Sequence, residues 1–328
     1  MPPRPLKAGT LPKHHRTAVR PRHLLALSGG GYRGLFTATV LQHMEKASRT
    51  KLARRFDMVA GTSIGGILAI GLACGIGAAS LVKLIRDNGS KIFRAKLTSF
   101  GGFTASHYDS AALKGVVETI LGKGNAARPF AQVPAPLIVV AVNERTGEPR
   151  IFRTDLAAPG AGDAIPTIDV AMATSAAPTY FSPHMVGDQA FVDGGLIANA
   201  PDLVLIGEAM RRYGAKLDDI HLCSIGTAGS TRAGAVSGGP GKVGWVVRHK
   251  LIELIMDAQA ELAADQVDCL RPASVLRIDR RPSRRIDLAD VSEGTTVELI
   301  NLADQAVAEA RTDQLPAWRR ILAHKPTP

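Results

Sequence analysis

Twice before residue 70 the chain repeats one arrangement: a short apolar run, a turn dense in glycine, then a stretch with helical periodicity. The first is His23-Leu-Leu-Ala-Leu-Ser28 leading into Gly29-Gly-Gly-Tyr-Arg-Gly34. The second is Phe56-Asp-Met-Val-Ala60 leading into Gly61-Thr-Ser-Ile-Gly-Gly66. A strand that passes into a helix through so tight a turn must lay that helix back over its own sheet. Two such units in succession predict parallel strands buried on both faces. The first helix is expected from about Leu35 to Lys46, because Leu35, Phe36, Val40, Leu41 and Met44 recur at helical spacing.

The same pattern continues downstream. Ile64 to Ala79 reads as a buried helix, too rich in glycine for a membrane span. Residues 96–107 are polar, glycine-rich and aromatic, as in a loop or lid. Asp109 or Ser110 caps a helix ending near Gly122. Pro136 to Val142 is the clearest strand, with Arg150 to Arg153 paired beside it after a turn at Thr146-Gly147, and Pro166 opens a helix through about Ser175. Phe191-Val-Asp-Gly-Gly195 is a strand running into a glycine turn. A helix over Asp202 to Tyr213 and a strand over His221 to Ile225 follow. Residues 226–244 hold seven glycines and read as a loop, and Trp245 to about Leu270 as a long amphipathic helix. The expectation is one domain over residues 24–328. Its motifs lie at about 24–207 and a C-terminal helical extension at about 245–328.

Composition narrows the class. With 328 residues and 45% hydrophobic content the chain can bury a large core. Net charge is +11, of which residues 1–23 supply six basic residues and no acid. They read as a mobile basic arm without a secretory signal, so the expected location is cytoplasmic. The arm suits anionic lipid head groups or nucleic acid, or simply solubility. A second basic cluster comprises Arg277, Arg280, Arg281, Arg284 and Arg285. Neither cluster is interleaved with aromatics, so no polymeric nucleic acid is expected as partner. Cys74, Cys223 and Cys269 are odd in number and widely spaced. They suggest buried thiols rather than disulfides or a metal site.

Three motifs carry chemistry. Gly61-Thr62-Ser63-Ile64-Gly65 matches G-x-S-x-G between a strand and a helix, with Gly61 and Gly65 permitting a sharp elbow that presents Ser63. A serine hydroxyl needs a base to become a nucleophile. Among nine histidines only His107 and His184 fall in expected loops. Asp193, at a strand end and followed by Gly194 and Gly195, is the other candidate, although D-G-G is also a common turn. Gly29, Gly30, Gly31 and Gly34 leave backbone N–H groups unshielded, as an oxyanion site requires. Arg33 either fixes that loop or adds positive charge to it. The same hexapeptide is a literal G-x-G-x-x-G with Asp57 about twenty residues on, so a dinucleotide-binding Rossmann unit is the rival reading. A catalytically silent lipid or nucleotide sensor is another.

Taken in order, Gly29–Gly34, the Ser63 elbow and Asp193-Gly-Gly resemble the patatin-like phospholipases. So do Thr174 to Pro183 and Asn199-Ala-Pro201. The resemblance implies a three-layer α/β/α sandwich with a largely parallel sheet. It also implies a Ser63–Asp193 dyad with Ser63 as nucleophile and Asp193 as base, the Gly30 and Gly31 amides as oxyanion hole, and phospholipid acyl esters as substrate without metal or cofactor. More narrowly, Leu27-Ser-Gly-Gly-Gly-Tyr-Arg-Gly-Leu35, Ala141 to Gly147 and Ser90-Lys-Ile-Phe93 are similar to bacterial antiphage effectors of this family. These are activated by a cyclic oligonucleotide and degrade the cell's own membrane, which implies action at its inner face. The 226–244 loop, with Arg232, Lys242 and Arg248 on or beside it, is then the expected nucleotide-responsive region. Homo-oligomerisation is left open.

Overall fold

The structure, a computed structural model, describes residues 20–94, 106–154, 164–229 and 251–326. Nearly all of the basic arm, most of the expected lid, Arg232, Lys242, Arg248 and the start of the helix expected from Trp245 lie outside them.

One sheet of eight strands organises the rest. Strands β1 (Arg22–Leu27), β2 (Met58–Thr62), β3 (Leu137–Asn143), β7 (Ile220–Ile225) and β8 (Ser274–Ile278) are parallel, in the order β3-β2-β1-β7-β8. Alternation along each strand divides the core. Leu25, Leu27, Val59, Val139 and Ile225 face one layer of helices. Leu24, Ala26, Met58, Ile138 and Leu222 face the other. The first layer contains α1 (Gly34–Ser48), α2 (Ile64–Ala73), α3 (Ala78–Ile92), α4 (Ser110–Leu121), α6 (Thr167–Thr174), α10 (Glu293–Asp313) and α11 (Leu315–Ala323), with the short α5 (Lys123–Ala127) at its edge. On the opposite face, after the one-turn α7 (Gly195–Ala198), α8 (Asp202–Tyr213) and α9 (Leu251–Leu270) supply Leu205, Ile206, Ala209 and Val267. The three-layer α/β/α expectation holds.

The antiparallel strands β4 (Pro149–Arg153), β5 (His184–Val186) and β6 (Gln189–Asp193) position the site. β4 pairs with β3 over Ile138–Val142 and so occupies one edge. β2 takes the other edge over residues 137–140, and β6 continues on that same edge over residues 141–143. β2 and β6 therefore run toward each other, and the chain leaving Thr62 meets the chain leaving Asp193.

Several expectations need correction. The helix read over Ile64–Ala79 breaks after Ala73, because Gly75 takes φ +82°. A separate helix, α3, follows, and Gly89 within it lets the Tyr32 ring approach the backbone. The C-terminal extension is not wholly helical: β8 completes the parallel sheet beyond β7. Of the three cysteines only Cys223 is fully buried, and Cys269 is exposed. The arginine cluster is not a free basic patch, since Arg277, Arg280, Arg281, Arg284 and Arg285 pair with Asp279, Glu309, Glu261, Glu298 and Glu253. No helix among the described residues is long and apolar enough to cross a membrane.

Two glycines test this packing in opposite directions. A Cβ on Gly65 would lie 2.2 Å from the Leu27 carbonyl oxygen, whereas one on Gly207, exposed in α8, meets nothing within 4 Å. Gly65→Ala is expected to cost at least about 3 kcal/mol, and Gly207→Ala to gain about 0.5–1 kcal/mol from helix propensity. Thermal unfolding of both variants measures the contrast.

Candidate active site

At the end of β2 the backbone turns at Ser63 with φ 55° and ψ −128°, a region that costs a residue with a side chain some strain. Three bonds hold it there. The Ser63 N–H donates to Thr174 Oγ1 at 2.9 Å. The Thr174 hydroxyl donates in turn to the Val140 carbonyl at 2.6 Å, so the last residue of α6 clips the elbow to β3. Thr62 Oγ1 donates to the Ala198 carbonyl at 2.7 Å. α2 then begins, with the Ile67 N–H bonding the Ser63 carbonyl at 3.1 Å.

β6 delivers Asp193 from the other direction. Its N–H bonds the Ala176 carbonyl at 3.1 Å, and Oδ1 accepts the Gly195 N–H at 2.7 Å. A Cβ on Gly194 would fall 2.3 Å from the Val140 carbonyl, the one that Thr174 bonds, so only glycine lets β6 end this close to the elbow. Asp193 is 1% exposed. Burial pushes its carboxyl up to about 7, against the opposing pull of the Ser63 hydroxyl and the Gly195 N–H. The Ser63 contact is looser than a closed hydrogen bond, and Oδ2 has no partner of standard geometry among the described residues.

The first glycine turn lies alongside. The Gly29 N–H is committed to the Asn199 carbonyl at 2.9 Å, so it cannot serve an oxyanion. Gly30 and Gly31 donate to no acceptor among the described residues, and Gly31 opens on the same cleft as Ser63 and Asp193. Gly34 admits the Ile64 side chain against α1, and Gly61 admits the backbone of Gly65. Arg33 is buried and bonds Asp257 of α9 at 3.3 Å, so it fixes the loop rather than facing the cleft.

Ser63 and Asp193 sit in a cleft of about 680 Å³, measured to its open mouth. Its walls are hydrocarbon: Ile67, Ile85, Ile92, Leu113, Val117 and Phe181 line it from α2, α3, α4 and the segment after α6. Met256 of α9 reaches the cleft and touches Gly195. Beside it the Tyr180 hydroxyl donates to Glu253 at 2.7 Å, and Arg285 holds the same carboxylate at 2.6 Å. Burial, then the Glu253 charge, raises the Tyr180 phenol, which keeps it neutral. Such a cleft suits a long apolar chain, and one hydroxyl, one raised carboxyl and the Gly31 residue open on it together.

The rival candidates fall away from this point. His184 starts β5, bonding Asp169 at 3.0 Å, rather than lying in a loop. His107 packs edge-on to Tyr108. Neither lines the cleft. Asp57 precedes β2 at the opposite end of the sheet, where it accepts the His23 N–H at 2.7 Å, so it cannot hold a ribose beside Gly29–Gly34.

Residues 25–206 match the family described as patatin-like phospholipase. The chain is 35% identical over 324 residues to a "cGAMP-activated phospholipase" of Pseudomonas aeruginosa, covering 94% of each. To a protein of the same name from Vibrio cholerae it is 34% identical, covering 76% of this chain and 77% of that one. Among solved structures VipD from Legionella pneumophila aligns with TM-score 0.42 and 13% identity, over 87% of this chain and 67% of the other.

The Thr174 clip is separable from the side chain's bulk. Thr174→Val leaves the Ser63 N–H and the Val140 carbonyl buried without partners and is expected to lower stability by about 1–3 kcal/mol. Thr174→Ser keeps the hydroxyl and should lose much less. Equal unfolding temperatures for the two would refute the clip.

Proposed function

Because the chain belongs to the patatin-like phospholipase family, we propose that it is a serine lipid acyl hydrolase with Ser63 as nucleophile and Asp193 as its base, switched on by a cyclic nucleotide. The observation that carries the first part is a carboxyl raised to about 7 beside a strained serine, at the polar end of a hydrocarbon cleft. A carboxyl near 4 would be too weak a base at neutral pH, and burial supplies the difference.

The Asp193 carboxylate takes the Ser63 proton as Oγ bonds to the acyl carbonyl carbon. Negative charge moves to the carbonyl oxygen, where the Gly30 and Gly31 amides meet it; each such donor is worth a few kcal/mol (~3) to the transition state. The carbon–oxygen bond to the glycerol side breaks, and the departing alkoxide takes the proton from Asp193. The acyl chain stays on Ser63 and lies among Ile67, Leu113 and Phe181. Water then gives its proton to Asp193 and attacks the acyl carbon. The fatty acid departs, and the proton returns to Ser63. No metal or cofactor is needed in this scheme.

The relatives named cGAMP-activated, matched along most of the chain, support activation by a cyclic nucleotide. Membrane phospholipid is the proposed substrate and attack on the cell's own membrane during phage infection the proposed role.

Fatty-acid release from anionic liposomes, with and without cGAMP, tests both parts. Ser63→Ala and Asp193→Asn, folded, should each lose at least about 10³-fold in rate. Because Asp193 acts as carboxylate, kcat/KM should fall about tenfold per pH unit below an apparent pKa near 7 and level off above it. Full activity in Asp193→Asn would place the base elsewhere, and release indifferent to cGAMP would sink the activation part.

A further inference from the structure

The Gly29–Gly34 turn is held by two sets of contacts. One fixes its first residue: the Asn199 carbonyl accepts the Gly29 N–H at 2.9 Å, and Thr227 Oγ1 donates to the Gly29 carbonyl at 3.0 Å. The other comes from the irregular segment between β8 and α10. There the Leu288 carbonyl accepts the Tyr32 N–H at 2.7 Å, and it lies so close to Gly31 that a Cβ on that residue, at φ +56°, would sit 2.5 Å from the oxygen. The Tyr32 and Thr296 hydroxyls share a hydrogen bond at 2.8 Å. Three successive glycines carry no side chains to fix them. The direction of the Gly30 and Gly31 amides therefore depends on these outside contacts.

The neighbours of Leu288 place it in turn. Ile286 is fully buried in the core, and Arg285 reaches Glu253 of α9 at 2.6 Å. Glu253 is 1% exposed, and its two oxygens serve two separate segments. Oε2 accepts from Arg285, three residues before Leu288, and Oε1 accepts from the Tyr180 hydroxyl at 2.7 Å. Tyr180 stands four residues after Ala176, whose carbonyl anchors the Asp193 N–H. One carboxylate thus ties the segment that supports the oxyanion turn to the segment that supports the base. Desolvation offsets most of what a buried ion pair contributes to stability, but its charge-assisted bonds fix geometry.

Resting on the hydrolase reading above, we propose that Glu253 is a positioning residue for the oxyanion amides: through Arg285 it fixes the Leu288 carbonyl, and through that carbonyl the backbone of Gly31 and Tyr32. Glu253 does not itself line the cleft. Its loss slackens the amides that meet the developing negative charge and so acts on the transition state rather than on substrate binding. Asp193 is left as it was, because its raised carboxyl comes from burial opposed by Ser63 and Gly195.

The test combines steady-state hydrolysis of anionic liposomes in the presence of cGAMP with hydrogen exchange at the Tyr32 amide, which needs no activity. The isosteric Glu253→Gln, and Arg285→Met, should each lower kcat by about tenfold or more with KM changed by less than about twofold. The double variant should be no worse than the worse single one, because both act through one contact. Arg285→Lys should recover most of the rate, and Arg280→Ala, whose guanidinium pairs with Glu309 instead, should change nothing. The pH midpoint should stay near 7 in every variant, while Tyr32 exchanges about tenfold faster in Glu253→Gln and Arg285→Met. Unchanged kcat and Tyr32 exchange in these two variants, when folded, would overturn the proposal. So would a rate loss accompanied by a displaced pH midpoint or a matching rise in KM, which marks general damage to the site. If the parent protein releases no fatty acid while Tyr32 exchange still responds, the hydrolase reading falls and the link from Glu253 to the turn stands.

Discussion

The Leu27 carbonyl oxygen occupies the place a Cβ on Gly65 would take, and the Val140 carbonyl does the same to Gly194. These two close approaches set everything above them. The first locks the junctions after β1 and β2 together, so that the turn at Gly29–Gly34 and the elbow at Ser63 form one surface. The second lets β6 end against the elbow, head to head with β2 along one edge of β3. Without them Asp193 and Ser63 would remain near neighbours in topology and fail to meet in space. The strain at Ser63 is tolerated because the Thr174 hydroxyl satisfies both its amide and the Val140 carbonyl.

Burial then sets the chemistry. A carboxyl sealed under β6 with one N–H and one hydroxyl for company is disfavoured as an anion, which makes it a stronger base. The surrounding hydrocarbon raises that basicity and also lines the cleft. Charge elsewhere is handled in the opposite manner. The five arginines near the C-terminal end all find carboxylates, and Glu253, almost fully buried, is held by Arg285 and Tyr180 together. The cleft is thus walled by α9 through neutralised contacts, leaving Asp193 as its one raised carboxyl among the described residues.

The sheet and its two glycine junctions were legible in the sequence because strand, glycine turn and helix are contiguous there. The Ser63 and Asp193 motifs were legible for the same reason, since each sits at a strand end marked by glycine. What was not legible depends on contacts between distant segments. α3 is amphipathic through Leu81, Ile85 and Ile92, but Gly75 and Gly77 before it and Asn88-Gly89 within it imitate turns. β5 is three residues long and shows no alternation of its own. Thr174 carries no motif, and its function as a clip exists only where β2, β3 and α6 converge. Met256 reaches the cleft, and Glu253 the Tyr180 hydroxyl beside it, from a helix about sixty residues beyond Asp193 in the sequence. The rival dinucleotide reading needed Asp57 beside the glycine turn, but Asp57 begins its strand, and the structure accordingly puts it at the opposite end of the sheet, against His23.

The central claim is that Ser63 is the residue Asp193 activates, and covalent capture reads it most directly. The protein is treated with a fluorophosphonate at neutral pH in the presence of cGAMP, and its peptides are weighed by mass spectrometry. The account predicts a single phosphonyl adduct, on Ser63, forming far more slowly in Asp193→Asn and more slowly as the pH falls below about 7. An adduct on another residue, or labelling of Ser63 at an undiminished rate without Asp193, would contradict it.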